Sequence, residues 1–125
     1  MRSIKNIQYG NSEFAKLDIH LPENDIFPVF IYFHGGGLEG GDKRLETAMH
    51  NTLTSNGIAV VTANYRMYPH AKYPEFIEDC AEACAWVKKH IGEYGTPSGI
   101  YIGGSSAGGY LSMMLCMDCR WLSKH

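Results

Sequence analysis

The residues best suited to chemistry in this sequence form a pentapeptide with a serine between two glycines. Gly104-Ser105-Ser106-Ala107-Gly108 follows the apolar run 100–102 and precedes a helix-like stretch from 110 to 115. A Gly-x-Ser-x-Gly pattern between a strand and a helix predicts a sharp turn with the serine at its tip. Such a turn leaves no room for a Cβ atom two residues before or after the serine, so both positions must be glycine. Only Ser106 meets this condition, because the pattern centred on Ser105 would require glycine at 107.

The chemistry that this turn predicts is nucleophilic attack by Ser106 on a carbonyl carbon. The following helix directs its positive dipole end toward the serine. The backbone N–H of Ala107 points to where an oxyanion would form. We therefore predict Ser106 as the catalytic residue, Ala107 as an oxyanion-hole donor, and Gly104 and Gly108 as the glycines that permit the turn.

A second glycine-rich segment lies upstream, after the apolar, aromatic run 30–33. It reads His34-Gly35-Gly36-Gly37. Consecutive glycines let backbone amides turn toward a substrate without a side chain in the way. This is the His-Gly-Gly-Gly type of loop that supplies oxyanion-hole amides in lipases and esterases. We predict Gly36 and Gly37 as the remaining donors, with His34 and Gly35 supporting the loop.

Three segments carry a family resemblance that covers nearly the whole chain. HGGGLEGGDK at 34–43, Asn64-Tyr65-Arg66 and YIGGSSAGGY at 101–110 resemble the amino-terminal half of an α/β-hydrolase esterase. The nearest groups are the hormone-sensitive-lipase-like and feruloyl-esterase-like branches. The resemblance implies an α/β fold with a doubly wound, mostly parallel sheet. It also implies that residues 1–125 form one partial domain. Because no long segment precedes the first predicted strand, we expect the helical cap that many lipase-like relatives carry there to be absent.

The partners that a nucleophilic serine needs are not evident in the chain. A base must take the serine proton, and an acid must orient that base. In this fold they follow the serine in the sequence. The 19 residues after Ser106 (125 minus 106) contain only Asp118 and His125 as candidates. A helix from 107 would place Asp118 on the order of 18 Å from Ser106, beyond hydrogen-bond reach.

We therefore expect the chain to be truncated before the acid and the histidine of the triad. The upstream histidines do not supply the required chain order, although His70 or another upstream histidine acting as an unusual base stays an open alternative. In the resembled topology later strands pair with the strand that contains Tyr101. Without them that edge is open, so we expect the chain to self-associate through it.

Strand and helix signals alternate along the chain, as in a doubly wound sheet. We predict strands at about 3–9, 14–21, 28–33, 58–63 and up to Ser106. The helices are predicted at 43–55, 75–90 and from 107 to about 121. In the first helix a stripe of Leu45, Ala48, Met49 and Leu53 is expected to face the core. The pair Asn56-Gly57 predicts its C-cap, and 95–99 reads as a turn.

Composition excludes several other classes. The 125 residues are 45% hydrophobic and 19% charged, with a net charge of −2, so neither nucleic acid nor an anionic membrane is an expected partner. No apolar run has the length of a membrane span or a signal peptide, which predicts a cytoplasmic protein.

A dinucleotide or Walker-type motif is absent, and we expect no cofactor. Four cysteines are expected to be reduced thiols. A zinc site or a redox role is the less favoured interpretation, and no metal is predicted. The cysteines are Cys80, Cys84, Cys116 and Cys119.

The leading hypothesis is a serine carboxylesterase that acts on small acyl esters through an acyl-enzyme. A peptidase or amidase on the same scaffold is one alternative, because the serine turn does not determine the leaving group. A non-catalytic fragment or pseudoenzyme is another. The loop after the fourth strand holds Tyr65, Arg66, Tyr68 and Tyr73, for which packing is favoured over substrate contact. Asp42 is the expected partner of Arg66.

Overall fold

The computed structural model describes residues 2–34, 47–67, 71–72, 74–105 and 107–117. These residues form strands and helices in alternation, which confirms the predicted α/β class. The strands are β1 (Arg2–Gln8), β2 (Lys16–Leu21), β3 (Ile26–Phe33), β4 (Ala59–Ala63) and β5 (Thr96–Gly104). The helices are α1 (Thr47–Ser55), α2 (Glu75–His90) and α3 (Ala107–Met117), with a short 3₁₀ turn at Ile91–Glu93.

The strands form one mixed sheet in the order β1-β2-β4-β3-β5. β1 with β2 and β2 with β4 are antiparallel, whereas β3 runs parallel to both β4 and β5. Parallel neighbours have their carboxyl ends at the same edge of a sheet, which is where open α/β sheets bind ligands. The last residues of β3 and β5, Phe33 and Gly104, lie opposite each other in the register.

Helices cover both faces of this sheet. Alternate residues of β3 (Phe27, Val29, Ile31 and Phe33) belong to the buried core. The same core includes residues of α2 and α3, such as Ile77 and Leu111. Successive strand residues point to opposite faces, and α1 lies on the other one, where the rings of His50 and His20 stack 4.5 Å apart.

The stripe predicted for α1 is displaced by one residue. Met49 and Leu53 are only partly buried, whereas His50 and Thr54 are buried. The hydroxyl of Thr54 donates to the His50 carbonyl at 2.8 Å, so its polar group is satisfied inside the helix. Leu45 lies outside the described residues. The hydrophobic pattern missed this face because the stacking partner, His20, is a polar residue of β2.

Other predicted elements are confirmed. α2 has the predicted bounds, and all five residues of β4 are buried, as expected for a strand covered on both faces. α1 ends at Ser55, and Gly57 follows it with a φ of +83°. The Gly57 and Ile58 amides donate to the carbonyls of Thr54 and Leu53, which is the Schellman arrangement of a helix C-cap.

The predicted turn at 95–99 is wrong over residues 96–99, which are the start of β5. Thr96 pairs with Ile26, and Gly99 pairs with Pro28. A register irregularity between Phe27 and Pro28 leaves Ser98 as the additional residue on β5. Pro97 is tolerated because β5 is the last strand of the described sheet, and proline is confined to edge strands and bulges. Tertiary pairing therefore overrides the local turn signal.

The edge position of β5 leaves apolar side chains uncovered. Tyr101 is 62% exposed and Ile100 is 39% exposed. An apolar edge strand is a template for pairing with another chain. The described part of the chain thus has the open edge that the resemblance led us to expect.

Candidate active site

The turn between β5 and α3 is built from glycines packed against the end of β3. A Cβ atom on Gly104 would lie 2.5 Å from the Gly108 carbonyl carbon and 2.6 Å from the Phe33 carbonyl oxygen. A Cβ atom on Gly108 would lie 1.8 Å from that same Phe33 oxygen. The three backbones approach so closely that a side chain at either glycine would clash. The Gly108 amide also donates to the Ser105 carbonyl at 2.9 Å, which closes the turn.

The predicted nucleophile and the predicted loop donors lie outside the described residues. These are Ser106, Gly36 and Gly37, and the predicted supporting residue Gly35 also lies outside them. The structure describes the residues that flank them. His34 follows the end of β3, and Ser105 follows the end of β5. Because β3 and β5 are adjacent and parallel, both glycine-containing segments leave the same edge of the sheet from neighbouring strands.

His34 is held by Tyr65, which lies two residues beyond the end of β4. The Tyr65 hydroxyl donates to the His34 carbonyl at 2.8 Å, and the two rings stack with centroids 4.6 Å apart. Both residues are buried. Burial raises the pKa of Tyr65 well above its ordinary value near 10, so the phenol is a proton donor throughout the physiological pH range. Tyr65 therefore packs against the start of the glycine loop, which agrees with the packing interpretation.

Replacing Tyr65 by phenylalanine is expected to lower the free energy of unfolding by about 1–2 kcal/mol. The reason is that the ring is retained but the buried His34 carbonyl loses this donor. Urea denaturation measures the change. Tyr110→Phe, at a 42% exposed residue of α3, is the matched control and is expected to leave stability unchanged. Equal stability of both variants would contradict a role for the hydrogen bond.

Arg66 is fixed by carboxylates of α2. Its Nε and Nη2 atoms donate to the Asp79 carboxylate at 2.9–3.1 Å, and its backbone amide donates to the same group at 2.8 Å. Nη1 lies 3.5 Å from Glu75. Asp42, the expected partner, lies outside the described residues. The sequence did not point to Asp79, because a helix with several carboxylates offers no signal for which one faces a distant loop.

A hydrogen bond that the sequence did not predict joins β3 to the serine turn. The Tyr32 hydroxyl and the Ser105 Oγ atom are 2.7 Å apart. Tyr32 pairs with Gly103 in the register, so its side chain is on the same face as that of Ser105, two residues further. The sequence does show that Tyr32 lies one residue before the end of a predicted strand. This position indicates a contact with Ser105 only when the register of β3 and β5 is known.

Apart from His34, the described upstream histidines lie away from this edge. His20 pairs with Val60 in the amino-terminal half of β4, and His50 stacks on His20. His90 ends α2 near the start of β5, and its Nδ1 atom lies 2.6 Å from Glu93. These three histidines are not positioned as a base for the turn. His70, His125 and Asp118 lie outside the described residues.

The described cysteines are free thiols, and two of them are buried. Burial raises the pKa of Cys84 to about 12 and also raises the pKa of Cys80. Cys116 is exposed. Within the described ranges, no group of three or more His, Cys, Asp or Glu side chains is placed to hold a metal ion. Cys119 lies outside those ranges.

The burial of these thiols predicts selective alkylation. With iodoacetamide at pH 8, we expect Cys116 to react at least about 100-fold faster than Cys80 and Cys84, because only the accessible thiolate attacks. Peptide mapping by mass spectrometry measures each site separately. In guanidinium chloride all three should react at similar rates. Rapid labelling of Cys84 in the folded protein would contradict the packing of α2.

The fold and the glycine-flanked turn at the carboxyl edge of the sheet define the α/β-hydrolase class. Residues 17–120 match the BD-FAE family, and the chain belongs to this family. Within the described helices, none has the length and apolarity needed to cross a membrane.

Proteins with similar sequences and structures carry esterase names. The chain is 39% identical over 119 residues to the probable carboxylic ester hydrolase LipM of Mycobacterium tuberculosis, covering 90% of this chain and 28% of LipM. It is 37% identical over 99 residues to carboxylesterase NlhH of the same organism, covering 77% of this chain and 31% of NlhH. A truncated carbohydrate esterase from gut microbiota superposes with a TM-score of 0.83 at 28% identity, covering 91% of this chain and 42% of that one. The chain thus spans about a third or less of the length of these two curated relatives.

Proposed function

We propose that this chain supplies the nucleophile and the oxyanion hole of a serine carboxylesterase for small acyl esters. The observation that carries the proposal is the packing of Gly104 and Gly108 against the Phe33 carbonyl. This contact brings the described residues on both sides of position 106 against the end of β3, directly before His34. The esterase names of the relatives support the same chemistry.

In the proposed reaction Ser106 Oγ attacks the carbonyl carbon of the ester. Its proton passes to a base, and the carbonyl oxygen becomes an oxyanion. The backbone amides of Ala107, Gly36 and Gly37 stabilise that charge, and one such donor contributes on the order of 3 kcal/mol to transition-state stabilisation. The alcohol leaves, and water then hydrolyses the acyl-enzyme. We place the base and its orienting acid in sequence beyond residue 125, so that residues 1–125 are one part of the catalytic domain.

The test uses the full-length protein and a fluorophosphonate probe, which forms a covalent bond with an activated serine. Peptide mapping is expected to find the label on Ser106 in the wild type and in Ser105→Ala, and on no serine in Ser106→Ala. p-Nitrophenyl acetate and butyrate should be hydrolysed, and the matching p-nitroanilide much more slowly. Labelling at Ser105, or none in the wild type, overturns the assignment. Faster hydrolysis of the anilide would favour an amidase.

The 125-residue chain by itself is expected to self-associate and to show only residual turnover. Among the described residues no strand pairs with the outer edge of β5, and such an edge favours pairing with another chain. Without a base, the remaining groups accelerate the reaction by roughly 10³–10⁴-fold over water. Light scattering and an ester assay on the purified chain measure both properties. Ile100→Lys, which adds a charge to β5, should reduce the association, whereas Tyr110→Lys on α3 should not. A fully active monomer would contradict both expectations.

A further inference from the structure

The residue directly before the predicted nucleophile is held at two points. Its carbonyl accepts a hydrogen bond from the Gly108 amide at 2.9 Å. Its Oγ atom lies 2.7 Å from the Tyr32 hydroxyl. The first contact is internal to the turn, whereas the second joins Ser105 to a different strand. Together they restrain both the main chain and the side chain of Ser105.

Tyr32 is itself a rigid support. It is 6% exposed and lies on β3, which pairs with a strand on each side. Its ring lies 6.1 Å from the ring of Phe30. Phe30 occupies the space over Gly103, where a Cβ atom would lie 2.7 Å from two of its ring carbons. Because Gly103 has no side chain, the rings of Phe30 and Tyr32 can pack beside the last residues of β5.

The peptide that joins Ser105 to position 106 is a rigid plane. Restraining Ser105 therefore also restrains the orientation of this peptide plane. A nucleophile must approach its carbonyl carbon within narrow limits of distance and angle, and displacement by about 1 Å can cost about 100-fold in rate. The hydrogen bond between Tyr32 and the Ser105 side chain can therefore affect the direction of the nucleophile even without a contact between either residue and the substrate.

We infer that Tyr32 and Ser105 form a positioning pair that holds the nucleophile turn in its reactive geometry. This inference rests on the proposed function of Ser106 and extends it to two further residues. The inference assigns neither residue a direct role at the reacting atoms. The Tyr32 hydroxyl acts on Ser105, and Ser105 acts on position 106 through the shared peptide.

The experiment is a double-mutant cycle in the full-length protein with Tyr32→Phe, Ser105→Ala and the combined variant. Each single variant removes one hydrogen bond and is expected to lower kcat by roughly 3- to 10-fold. KM should stay within about 2-fold, because the substrate contacts are unchanged. The combined variant should be no slower than the slower single variant, because both changes remove the same contact. Tyr110→Phe, the same change at an exposed residue of α3, is the control and should match the wild type.

Ser105→Thr provides the rescue, because threonine keeps the hydroxyl. It is expected to restore kcat to within about 2-fold of the wild type, which a purely structural contact would not require. Unchanged kcat in both single variants, additive losses in the combined variant, or a threonine variant as slow as the alanine variant would each overturn the inference. Fluorophosphonate labelling of Ser106 in the wild type separates these outcomes from failure of the proposed function. If Ser106 is not labelled, the proposed function fails, and the inference fails with it.

Discussion

Replacing Ser106 by alanine in the full-length protein is expected to lower kcat for p-nitrophenyl butyrate by about 10⁴-fold or more. The loss is large because no acyl-enzyme can form, and the remaining groups contribute only binding and oxyanion stabilisation. Fixed-time assays at high enzyme concentration measure the residual rate of ester hydrolysis. Thermal denaturation should show unchanged stability, because position 106 is predicted to lie at the exposed tip of the turn.

Ser105→Ala is the matched control for this experiment, since it makes the same change one residue away. Its expected loss of roughly 3- to 10-fold corresponds to one hydrogen bond. The two variants should therefore differ by about three orders of magnitude. Retention of more than about 1% of the wild-type rate by Ser106→Ala would contradict its role as the nucleophile.

The second large effect is expected at the glycines of the turn. Gly108→Ala places a Cβ atom 1.8 Å from the Phe33 carbonyl oxygen, and the clash involves backbone that cannot rotate away. We expect the free energy of unfolding to fall by about 3 kcal/mol or more, at the upper end of the cost of overpacking. Because the turn must shift to relieve the clash, the rate of fluorophosphonate labelling should fall as well. Urea denaturation and labelling kinetics measure the two effects.

Gly109→Ala tests whether the expected loss of stability comes from the position of Gly108 or from any glycine-to-alanine change in α3. The nearest atom to its added Cβ, the Gly104 carbonyl oxygen, is 3.4 Å away, an ordinary contact. Alanine is also favoured over glycine in helices by up to about 1 kcal/mol. This variant should be as stable as the wild type or slightly more stable. If Gly108→Ala unfolds at the same urea concentration as Gly109→Ala, the packing against Phe33 is not required.

The sequence predicts the parts of this fold that depend on local signals. The limits of α2 and the cap at Gly57 follow from periodicity and from glycine chemistry. The start of β5 was missed because its Thr-Pro-Ser-Gly composition is typical of a turn, and only pairing with β3 makes it a strand. The buried face of α1 was missed for a related reason, since His50 is buried by a histidine from another strand.

The features of the candidate site likewise fall into those that the sequence predicts and those that it does not. Both glycine motifs are evident from the sequence, because each is a short pattern of nearby residues that follows an apolar run. The Tyr32–Ser105 contact is not evident, since its two residues are separated by 73 positions and meet only through the register of β3 and β5. The Arg66–Asp79 pair likewise depends on how α2 lies against the loop after β4. Long-range polar contacts of this kind need the tertiary structure.

The parallel pairing of β3 with β5 also has a consequence during protein synthesis. Ribosomes add about 5–20 residues per second, so the 73 positions between Tyr32 and Ser105 correspond to roughly 4–15 seconds of translation. Throughout that interval β3, with its buried Val29 and Ile31, exists without one of its two neighbours. The nascent chain thus displays an apolar strand long before its partner emerges, which makes β3 a segment for chaperones to cover. The two loops of the candidate site come together only when this delayed pairing is complete.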